Sequence, residues 1–310
     1  IASLFSSGDG GGGVLLFLIG FGAPAGIFMW LRHYVLYLLK AGHTVTVHNR
    51  TREREEPPAK AGARRAASPR EAAQAAEIII TCVSDTPDVE AVILGAEGVI
   101  HGASTGAIVV DMSTISPSAT RRMAAELEKK AVRMLDAPVS GGSEGARNGT
   151  LSIMVGGDAV DVGKAMPVFQ AMGKTIVHVG PVGSGQMAKA INQVIICGTY
   201  LAVAEGMALG LKAGLDMEKV VPALAGGAAG SWGLSNRSGN MIKNHYPLGF
   251  RVRLHRKDVI IALEVARELG VVLPVAALVE QIENGLIAQG YGDEDVSAMA
   301  RSIRKQSGLD

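Results

Sequence analysis

The sequence predicts an α/β fold in which a mostly parallel sheet fills the N-terminal half and helices alone fill the C-terminal half. Short apolar strand candidates alternate with helical segments up to Thr175–Val179, a spacing typical of βαβ units. Strand signals stop after Gly183. The segment that follows, up to about Lys212, carries no charge between Lys189 and Glu205, which predicts a buried helix.

Length and composition narrow the class of protein. The chain has 310 residues, enough for two domains with sizeable cores. Its hydrophobic content is 48% with only 4% aromatic residues, so the cores must be built mainly from aliphatic side chains and methionine. The net charge of +1, from 30 Lys+Arg against 29 Asp+Glu, gives no electrostatic reason to expect a nucleic acid partner.

Cysteine and histidine usage points to a reducing compartment and to no metal. The two cysteines, Cys82 and Cys197, both lie in apolar segments, and we expect buried thiols instead of a disulfide. A cytoplasmic location follows as an expectation. The seven histidines lack the paired spacing of metal ligands, so we expect no metal site.

The N-terminal segment allows two interpretations. Residues 1–13, rich in Ser and Gly, are expected to form a flexible leader. Val14–Ile19 predicts a strand, followed by a glycine-rich turn and an apolar helix that ends near Lys40. Alternatively, Val14–Leu31 is uncharged over 18 residues, about the length of a membrane helix. The Gly/Pro cluster in its middle, and the lack of a preceding positive charge, argue against such an anchor.

The remaining elements follow in order. Helices are predicted after Ser68 and Ser116, each a capping residue followed by proline. The further strand candidates are Thr44–His48, Ile78–Val83, Ile108–Met112, Val132–Leu135, Leu151–Val155 and Thr175–Val179. The helical patterns of the second half are Met217–Leu224, Val259–Leu269, Pro274–Gly290 and Asp293–Lys305. We therefore expect domains over residues 14–181 and 182–310.

The turn after the first strand is a candidate dinucleotide site. Gly20, Gly22 and Gly26 give G-x-G-x-x-x-G, one residue longer than the usual fingerprint. Backbone N–H groups in such a turn, at a helix N-terminus, bind a pyrophosphate. A glycine-rich turn without a ligand is the alternative.

The end of the second strand bears on which cofactor is bound. An NAD site has a carboxylate there for the ribose hydroxyls, and this chain has Asn49, Arg50 and Thr51 instead. A guanidinium with neighbouring polar side chains suits the 2′-phosphate of NADP, with NAD as the alternative. Arg50 could equally be an ordinary exposed arginine.

A second candidate site follows a later strand. Ser140, Gly141 and Gly142 offer a hydroxyl and successive unobstructed N–H groups, a suitable cradle for a carboxylate. A nucleophilic serine is disfavoured because no G-x-S-x-G elbow is present. A plain turn is the remaining alternative. Near Leu254, Lys257-Asp258 is predicted to open a helix, where the aspartate would serve as a cap.

The start of the uncharged helix is the third candidate. Lys189, Asn192 and Gln193 share one helix face because they are spaced by three and four residues. A lysine on a buried helix is costly unless it is paired or used, so Lys189 is a candidate acid with Asn192 as its positioning partner. The alternative is a lysine that extends to water. The segment is expected to be too short and too polar for a membrane span.

Together these pieces resemble the β-hydroxyacid dehydrogenase family, which includes 3-hydroxyisobutyrate dehydrogenase, tartronate semialdehyde reductase and glyoxylate/succinic semialdehyde reductases. The resemblance covers the chain from about Leu38 to the C-terminus. It rests on six segments in the same order: Leu38–His43, Asp111–Thr114, Asp136–Gly142, Gly149–Leu151, Gly183–Gly185 with Lys189 and Asn192, and Leu254-His255 with Lys257-Asp258.

The resemblance implies a fold and a set of roles. It implies a Rossmann doubly wound sheet joined by a long interdomain helix to an all-helical domain, like that of 6-phosphogluconate dehydrogenase, which mediates a homodimer or homotetramer. It makes Lys189 the catalytic acid, Asn192 a substrate-placing residue, and Ser140-Gly141-Gly142 the carboxylate site. Thr114 would lie near the nicotinamide, and Lys257 would close over the cofactor.

The resemblance also implies the reaction. We expect an NADPH-dependent, reversible reductase of a short carboxylated semialdehyde similar to tartronate semialdehyde. A 3-hydroxyisobutyrate dehydrogenase, a glyoxylate/succinic semialdehyde reductase or a non-catalytic protein of this fold are the alternatives. Trp232 is expected either to wall the substrate pocket or to lie in a core. The chain departs from the family between Gly20 and Leu38, where it is about six residues longer, nearly two helical turns, and we expect a lengthened or distorted first helix.

Overall fold

The computed structural model describes residues 13–17 and 26–309, with side chains from residue 33 onward. The leader before Gly13 and two of the fingerprint glycines, Gly20 and Gly22, lie outside the described residues. The alternative anchor, Val14–Leu31, lies partly outside them. Gly26 is the first residue of the first helix. The pyrophosphate turn and the expected lengthening of this helix therefore stay predictions.

Nine strands form one sheet, and helices connect most of them. The strands are β1 Gly13–Phe17, β2 Thr44–His48, β3 Arg64–Arg65, β4 Ala76–Thr81, β5 Ile108–Asp111, β6 Arg133–Asp136, β7 Val139–Ser140, β8 Leu151–Gly156 and β9 Gly173–Gly180. The helices among them are α1 Gly26–Lys40, α2 Glu56–Lys60, α3 Pro69–Ala73, α4 Thr86–Leu94, α5 Pro117–Glu128, α6 Gly142–Asn148 and α7 Ala159–Met172. Ser68 and Ser116 cap α3 and α5, as predicted.

The sheet has the doubly wound order. The strands lie in the order β3-β2-β1-β4-β5-β6 and pair in parallel, and then β8 joins β6 antiparallel. β7 pairs antiparallel with β8, and β9 pairs with it in parallel. Chain order reverses between β1 and β4, and the crevice at the carboxyl ends of these strands is where such sheets bind ligands.

Two apolar layers cover the sheet. On β4, Ile78 and Ile80 belong to one core with Tyr34 of α1 and Phe169 of α7. Ile79, which lies between them, belongs to the core on the opposite face. Alternate side chains of a strand point to opposite faces, so the β-rich run is buried on both sides, as predicted for a parallel strand.

The second half is helical. Its helices are α8 Ser184–Lys212, α9 Met217–Ala225, α10 Trp232–Lys243, α11 Val252–Leu269, α12 Pro274–Ala288 and α13 Met299–Gln306. The middle and end of α8, from Cys197 to Met207, provide the centre of a separate core. The predicted α/β sheet followed by an all-α part is confirmed.

One helix that was not predicted and the starts of two others differ from the sequence prediction. α10 was not predicted, because its sequence is rich in Gly, Ser and Asn and shows no clear apolar period. α11 begins at Val252. Its start was predicted at Lys257, because the residues of the first turns are mostly charged and no apolar period marks them as helical. The last helix begins at Met299 and not at Asp293, because the buried Asp295 accepts the Ser297 N–H and caps a preceding 3-10 turn.

Helix α8 is also long and apolar enough to cross a membrane. Among the described residues it alone meets that criterion, with 29 residues and a mean hydropathy of 1.8 over its most apolar 18-residue window. The expectation that this segment is too short for a span is therefore wrong. Of that window 44% is buried inside the protein, and the core helix of a soluble protein has the same length and composition.

Candidate active site

A cavity of about 480 Å³ lies between the carboxyl edge of the sheet and the helical half. Residues from both halves line it, including Met112 and Val139 from the strand ends and Tyr200 and Phe250 from the helical part. Eight of the residues predicted to form the site are among them: Thr114, Ser140, Gly141, Gly142, Lys189, Asn192, Trp232 and Lys257. The structure thus brings together, in one cavity, residues that lie far apart in the sequence.

Lys189 lies in the second turn of α8 and is buried, with 7% of its surface exposed. No hydrogen bond or ion pair joins its ammonium to any described residue. Burial lowers the pKa of Lys189 to about 8, although the carboxylate of Asp258 acts in the opposite direction. A buried lysine without a partner, facing a cavity, has the properties of a general acid and does not extend to water.

A hydrogen-bonded chain runs beside this ammonium. Asn192 Nδ2 donates to Gln193 Oε1 at 2.7 Å, and Gln193 Nε2 donates to Asp258 Oδ2, also at 2.7 Å. Lys257 Nζ lies 2.8 Å from Asp258 Oδ1 and donates to the backbone carbonyl of Thr114. The chain links α8, α11 and the loop after β5, and it fixes which atoms of Asn192 face the cavity.

Asp258 has a different role from the one predicted. Because α11 begins at Val252, Asp258 lies in its second turn and cannot cap it. The carboxylate is buried, 3% exposed, and is held by Gln193 and Lys257. Its negative charge raises the pKa of Lys189, against the effect of burial. Sequence reasoning missed this role of Asp258.

The turn at Ser140–Gly142 has the conformation that a cradle requires. Ser140 ends β7, and the next two residues have φ values of +126° at Gly141 and +61° at Gly142. Only glycine adopts both without strain. Their N–H groups are therefore unobstructed by side chains, in a turn that lines the cavity, an arrangement that can bind an anion.

A capping carboxylate connects the end of β6 to the start of α8. Asp136, at the end of β6, accepts the N–H of Gly183 at 2.7 Å and that of Gln186 at 2.8 Å. The Gln186 amide in turn accepts from Ile115 N at 3.1 Å and donates to Ser113 O at 2.8 Å. The start of α8 is thereby fixed to the ends of two strands.

The wall opposite the strand ends is formed by Trp232 and Arg237. Trp232 is the first residue of α10, not part of a loop, and is 49% exposed. The Arg237 guanidinium lies 4.6 Å from the centre of its ring, a cation–π contact. Arg237 also forms ion pairs with Glu144 at 3.2 Å and Asp295 at 3.3 Å. Sequence reasoning missed Arg237 because no strand or helix period marks it.

The loop after β2 does not line this cavity. A buried carboxylate, that of Glu55, fixes the conformation of the loop. Glu55 is fully buried and accepts the Asn49 N–H at 2.7 Å. It also accepts from Arg52 at 2.7 Å and Arg65 at 2.6 Å. Asn49 Oδ1 accepts the Thr51 N–H at 2.9 Å. These contacts fix the backbone from Asn49 to Thr51 and leave Arg50 on the surface.

Two buried polar atoms support a cofactor on this side of the sheet. Asn49 Nδ2 and the hydroxyl of Tyr34 are buried without a hydrogen-bond partner, and Tyr34 lines the cavity. Buried polar groups are nearly always paired, so each has capacity for a ligand. One carboxylate, Asp88 on α4, acts on Arg50 electrostatically. The residues present fit a nicotinamide cofactor on this side of the sheet.

A second buried base, His255 on α11, lies close to Cys197 of α8 and does not line the cavity. His255 Nδ1 lies 2.6 Å from Glu283 Oε1, and His255 Nε2 lies 4.0 Å from Cys197 Sγ. All three side chains are fully buried. Burial alone would lower the pKa of His255, but the Glu283 carboxylate outweighs it and raises the pKa to about 10. Among the described residues, no group of three or more His, Cys, Asp or Glu side chains is arranged to bind a metal ion.

Two family models match this chain. The model described as the NAD binding domain of 6-phosphogluconate dehydrogenase matches residues 32–180, beginning after the glycine-rich turn. The model described as NAD-binding of NADP-dependent 3-hydroxyisobutyrate dehydrogenase matches residues 183–303. The two matches meet at the start of α8.

Individual relatives agree with these matches. The 2-hydroxy-3-oxopropionate reductase of Escherichia coli K12 is 41% identical over 76% of this chain and 80% of its own length. The NAD-dependent L-serine dehydrogenase of Pseudomonas aeruginosa is 35% identical over 85% of this chain and 91% of its own. A solved structure of Mycobacterium tuberculosis 3-hydroxyisobutyrate dehydrogenase with L-serine superposes with a TM-score of 0.83, at 27% identity, over 94% of this chain and 99% of that one.

The site geometry and the comparisons lead to the same conclusion. A buried lysine without a partner, an adjacent carboxamide and a glycine turn line one cavity at the edge of a dinucleotide-binding sheet. The family models cover both halves of the chain. The chain belongs to the β-hydroxyacid dehydrogenase family and is an NAD(P)-dependent oxidoreductase.

Proposed function

We propose that the protein is an NADPH-dependent reductase of a short carboxylated semialdehyde of the 2-hydroxy-3-oxopropionate type, acting reversibly on the corresponding hydroxyacid. The observation that carries this proposal is Lys189, buried and without a partner beside Asn192, in the same cavity as the Ser140–Gly142 turn. The name of the 41% identical E. coli relative supports the substrate class.

The residues of this chain would divide the reaction among them. Ser140 and the N–H groups of Gly141 and Gly142 would bind the substrate carboxylate, and Asn192 would orient the carbonyl oxygen. Lys189 would donate a proton to that oxygen as the alkoxide develops. A bound reduced nicotinamide supplies a hydride to the carbonyl carbon. In the oxidative direction neutral Lys189 would take the hydroxyl proton.

The cofactor would be held by residues on both sides of the cavity. Asn49, Arg50 and Thr51 would bind the 2′-phosphate of the adenosine ribose, and none of these three residues is a carboxylate that could bind a ribose hydroxyl. Thr114 would lie near the nicotinamide, and Lys257 would close over the cofactor. Gly20, Gly22 and Gly26 would bind the pyrophosphate.

The direct test is turnover by the purified chain. NADPH consumption at 340 nm, a wavelength at which the reduced nicotinamide absorbs, is followed with 2-hydroxy-3-oxopropionate, glyoxylate and succinic semialdehyde, and again with NADH. We expect the highest kcat/KM for 2-hydroxy-3-oxopropionate with NADPH. Absence of turnover with every aldehyde and both cofactors would refute the proposed function.

Cofactor choice has its own test in Arg50. Arg50→Asp should weaken NADPH binding far more than NADH binding, because it removes a charge-assisted pair with the 2′-phosphate. Such a bond contributes about 1.5–3 kcal/mol, or roughly 10–150-fold in affinity. Fluorescence titration with both cofactors measures the effect, and Arg64→Asp on the exposed β3 is a matched control. An equal loss for the two cofactors would contradict the assignment.

We also propose a cytoplasmic homodimer or homotetramer, with no membrane or nucleic acid partner. Large apolar side chains on the outside of the helical half support self-association: Leu209 is 74% exposed, Leu269 65% and Val272 83%. Contiguous exposed apolar residues typically mark interaction surfaces. Light scattering coupled to gel filtration measures the mass, and a monomer at micromolar concentration would contradict the proposal.

A further inference from the structure

The cavity has one charged corner that the proposed mechanism does not use. Arg237 lines the cavity, although only 9% of its surface is exposed. Trp232 stacks on one face of its guanidinium. Gly249 provides the space beside it, because a Cβ at that position would lie 2.5 Å from Arg237 Nη2. The guanidinium is therefore held in one place at the cavity wall.

The donors of this guanidinium are only partly used. Nη1 donates to the carbonyl of Asn236 at 3.1 Å, and Nη2 donates to Glu144 Oε1 at 3.2 Å. Nε is buried without a hydrogen-bond partner, although Asp295 Oδ1 lies 3.3 Å away. An arginine has five N–H donors, and Nη1 and Nη2 each use one of theirs within the described part of the chain, so the further donors can serve a ligand.

Glu144 places an acceptor beside these donors. Its side chain is 45% exposed, and its Oε2 would lie 3.1 Å from a Cβ at Gly142. Burial opposes ionisation, but hydrogen bonds from its own backbone N–H and from Ser143, together with the charge of Arg237, lower the pKa of Glu144. The group is therefore an ionised acceptor at neutral pH, next to the turn that we assign to the substrate carboxylate.

Glu144 and Arg237 together distinguish between substituents on the substrate carbon next to the carboxylate. A hydroxyl both donates and accepts, so it could accept from Arg237 at the cavity wall and donate to Glu144, which borders the lining turn at Gly142. A methyl group would cover the guanidinium without replacing its hydrogen bonds, which is unfavourable. A second carboxylate would meet the negative charges of Glu144 and Asp295, of which only one is balanced by Arg237. The corner adjoins the carboxylate turn, so it reaches the carbon next to the carboxylate.

We propose that Arg237 and Glu144 form a specificity subsite for a neutral hydroxyl on C2 of the substrate. This rests on the proposed function of the cavity and deepens it: the substrate class becomes 2-hydroxy-3-oxo acids and their 2,3-dihydroxy acid products. Methyl-bearing and dicarboxylic analogues are selected against.

Two alcohols that differ only at C2 test the subsite. In the oxidative direction, with NADP⁺, glycerate carries a C2 hydroxyl and 3-hydroxyisobutyrate carries a C2 methyl, and the carboxylate and primary alcohol are the same. We expect the parent to prefer glycerate by at least about tenfold in kcat/KM, since sites built to bind a hydroxyl reject analogues lacking it. NADPH formation is measured for both.

Arg237→Met keeps the length and apolar stem of the side chain and removes its donors. We expect it to reduce the glycerate preference at least about tenfold, mainly through a higher KM for glycerate, with turnover of 3-hydroxyisobutyrate retained or raised. Arg237→Lys should retain part of the preference. Arg301→Met is the matched control, since Arg301 also stacks on aromatic rings, those of Tyr246 and Tyr291, and does not line the cavity; its ratio should equal the parent's.

Three results would overturn the inference. A parent that oxidises both alcohols with equal kcat/KM, or prefers 3-hydroxyisobutyrate, would leave the proposed function standing and refute the subsite. An unchanged ratio in folded Arg237→Met would do the same. Turnover of neither alcohol, and of no aldehyde with NADPH, would refute the proposed function and the subsite together. If Arg237→Met does not fold, the parent ratio and Glu144→Gln decide, the latter being expected to raise turnover of 2-(hydroxymethyl)malonate.

Discussion

Two buried bases on neighbouring parts of the helical half have opposite properties. Lys189 and His255 are both removed from water, yet the pKa of Lys189 is lowered to about 8 by burial and that of His255 is raised to about 10 by Glu283, against the effect of burial. The difference lies in the partner. A buried cation with a contacting carboxylate stays charged and is structural, whereas one without a partner at a cavity can exchange a proton with a ligand.

The largest effect on activity is expected from substitution of Lys189, the buried base without a partner. Lys189→Ala should lower kcat by roughly 10²–10⁴-fold, the contribution typical of a general acid, while NADPH still binds. Lys189→Arg should not restore activity, because a guanidinium releases no proton near neutral pH. kcat and cofactor affinity are measured for both variants. Activity within a few-fold of the parent in either would make Lys189 a structural lysine.

Glu283→Gln tests whether His255, the buried base with a partner, serves stability and not catalysis. Removing one partner of a buried ion pair typically costs about 3–5 kcal/mol of stability, because the buried His255 must then lose its proton or stay charged without a partner. Chemical denaturation should show this loss, while kcat per folded molecule changes little. Glu280→Gln, whose partner Arg256 is partly exposed, is the matched control with a smaller effect. A drop in kcat without a loss of stability would mean that the pair serves catalysis.

The pH dependence of catalysis sharpens the comparison further. In the reductive direction Lys189 must be protonated, so kcat should fall as pH rises through the pKa, about 8 in the free protein, by up to roughly tenfold per pH unit. A bound substrate carboxylate would move the midpoint upward, since it favours the charged form. Oxidation should show the mirror profile. A flat reductive profile between pH 7 and about pH 10 would exclude Lys189 as the acid.

The smallest effect concerns stability against pH. His255 has a folded pKa of about 10, above the ordinary 6.5, so its pairing stabilises the fold fully below pH 6.5, and the contribution is lost as pH rises towards 10. The slope is at most about 1.4 kcal/mol per pH unit. Lys189, with a folded pKa of about 8, begins to lose its proton towards the top of the window from pH 6.5 to 8, but it does so in both the parent and Glu283→Gln and cancels in their comparison. Melting curves of the parent and Glu283→Gln in that window should differ in slope, and equal slopes would contradict the pairing.

The sequence allowed prediction of those features that follow local rules. Strand periodicity placed β2, β4 and β5, and serine–proline caps placed the starts of α3 and α5. The candidate residues of the cavity follow strand ends or begin a helix, where side chains converge at the carboxyl edge of a parallel sheet. Spacing on one helix face was enough to pair Lys189 with Asn192.

The remainder depends on contacts between distant segments. Arg237 lies 93 positions from Glu144, and nothing in the local sequence of α10 marks it as a cavity residue. Glu283 becomes the partner of His255 only when α11 packs against α12. The start of α11 was misplaced because its charged first turns have no apolar period, so the role of Asp258 changed from a cap to a neighbour of the lysine. Tertiary packing decided each case.

The Asp136 cap has a consequence for how the enzyme can move during a cycle. Asp136 holds the start of α8, and the Gln186 amide bonds the loop after β5. Lys189 follows Gln186 by less than one helical turn, so the proton donor is anchored to the strand ends through the start of α8. Any hinge between the two halves must therefore lie beyond Lys189. Movement at such a hinge would displace Arg237 and the Lys257–Asp258 pair, and with them the Gln193 contact of Asn192, while Lys189 kept its place beside the strand ends.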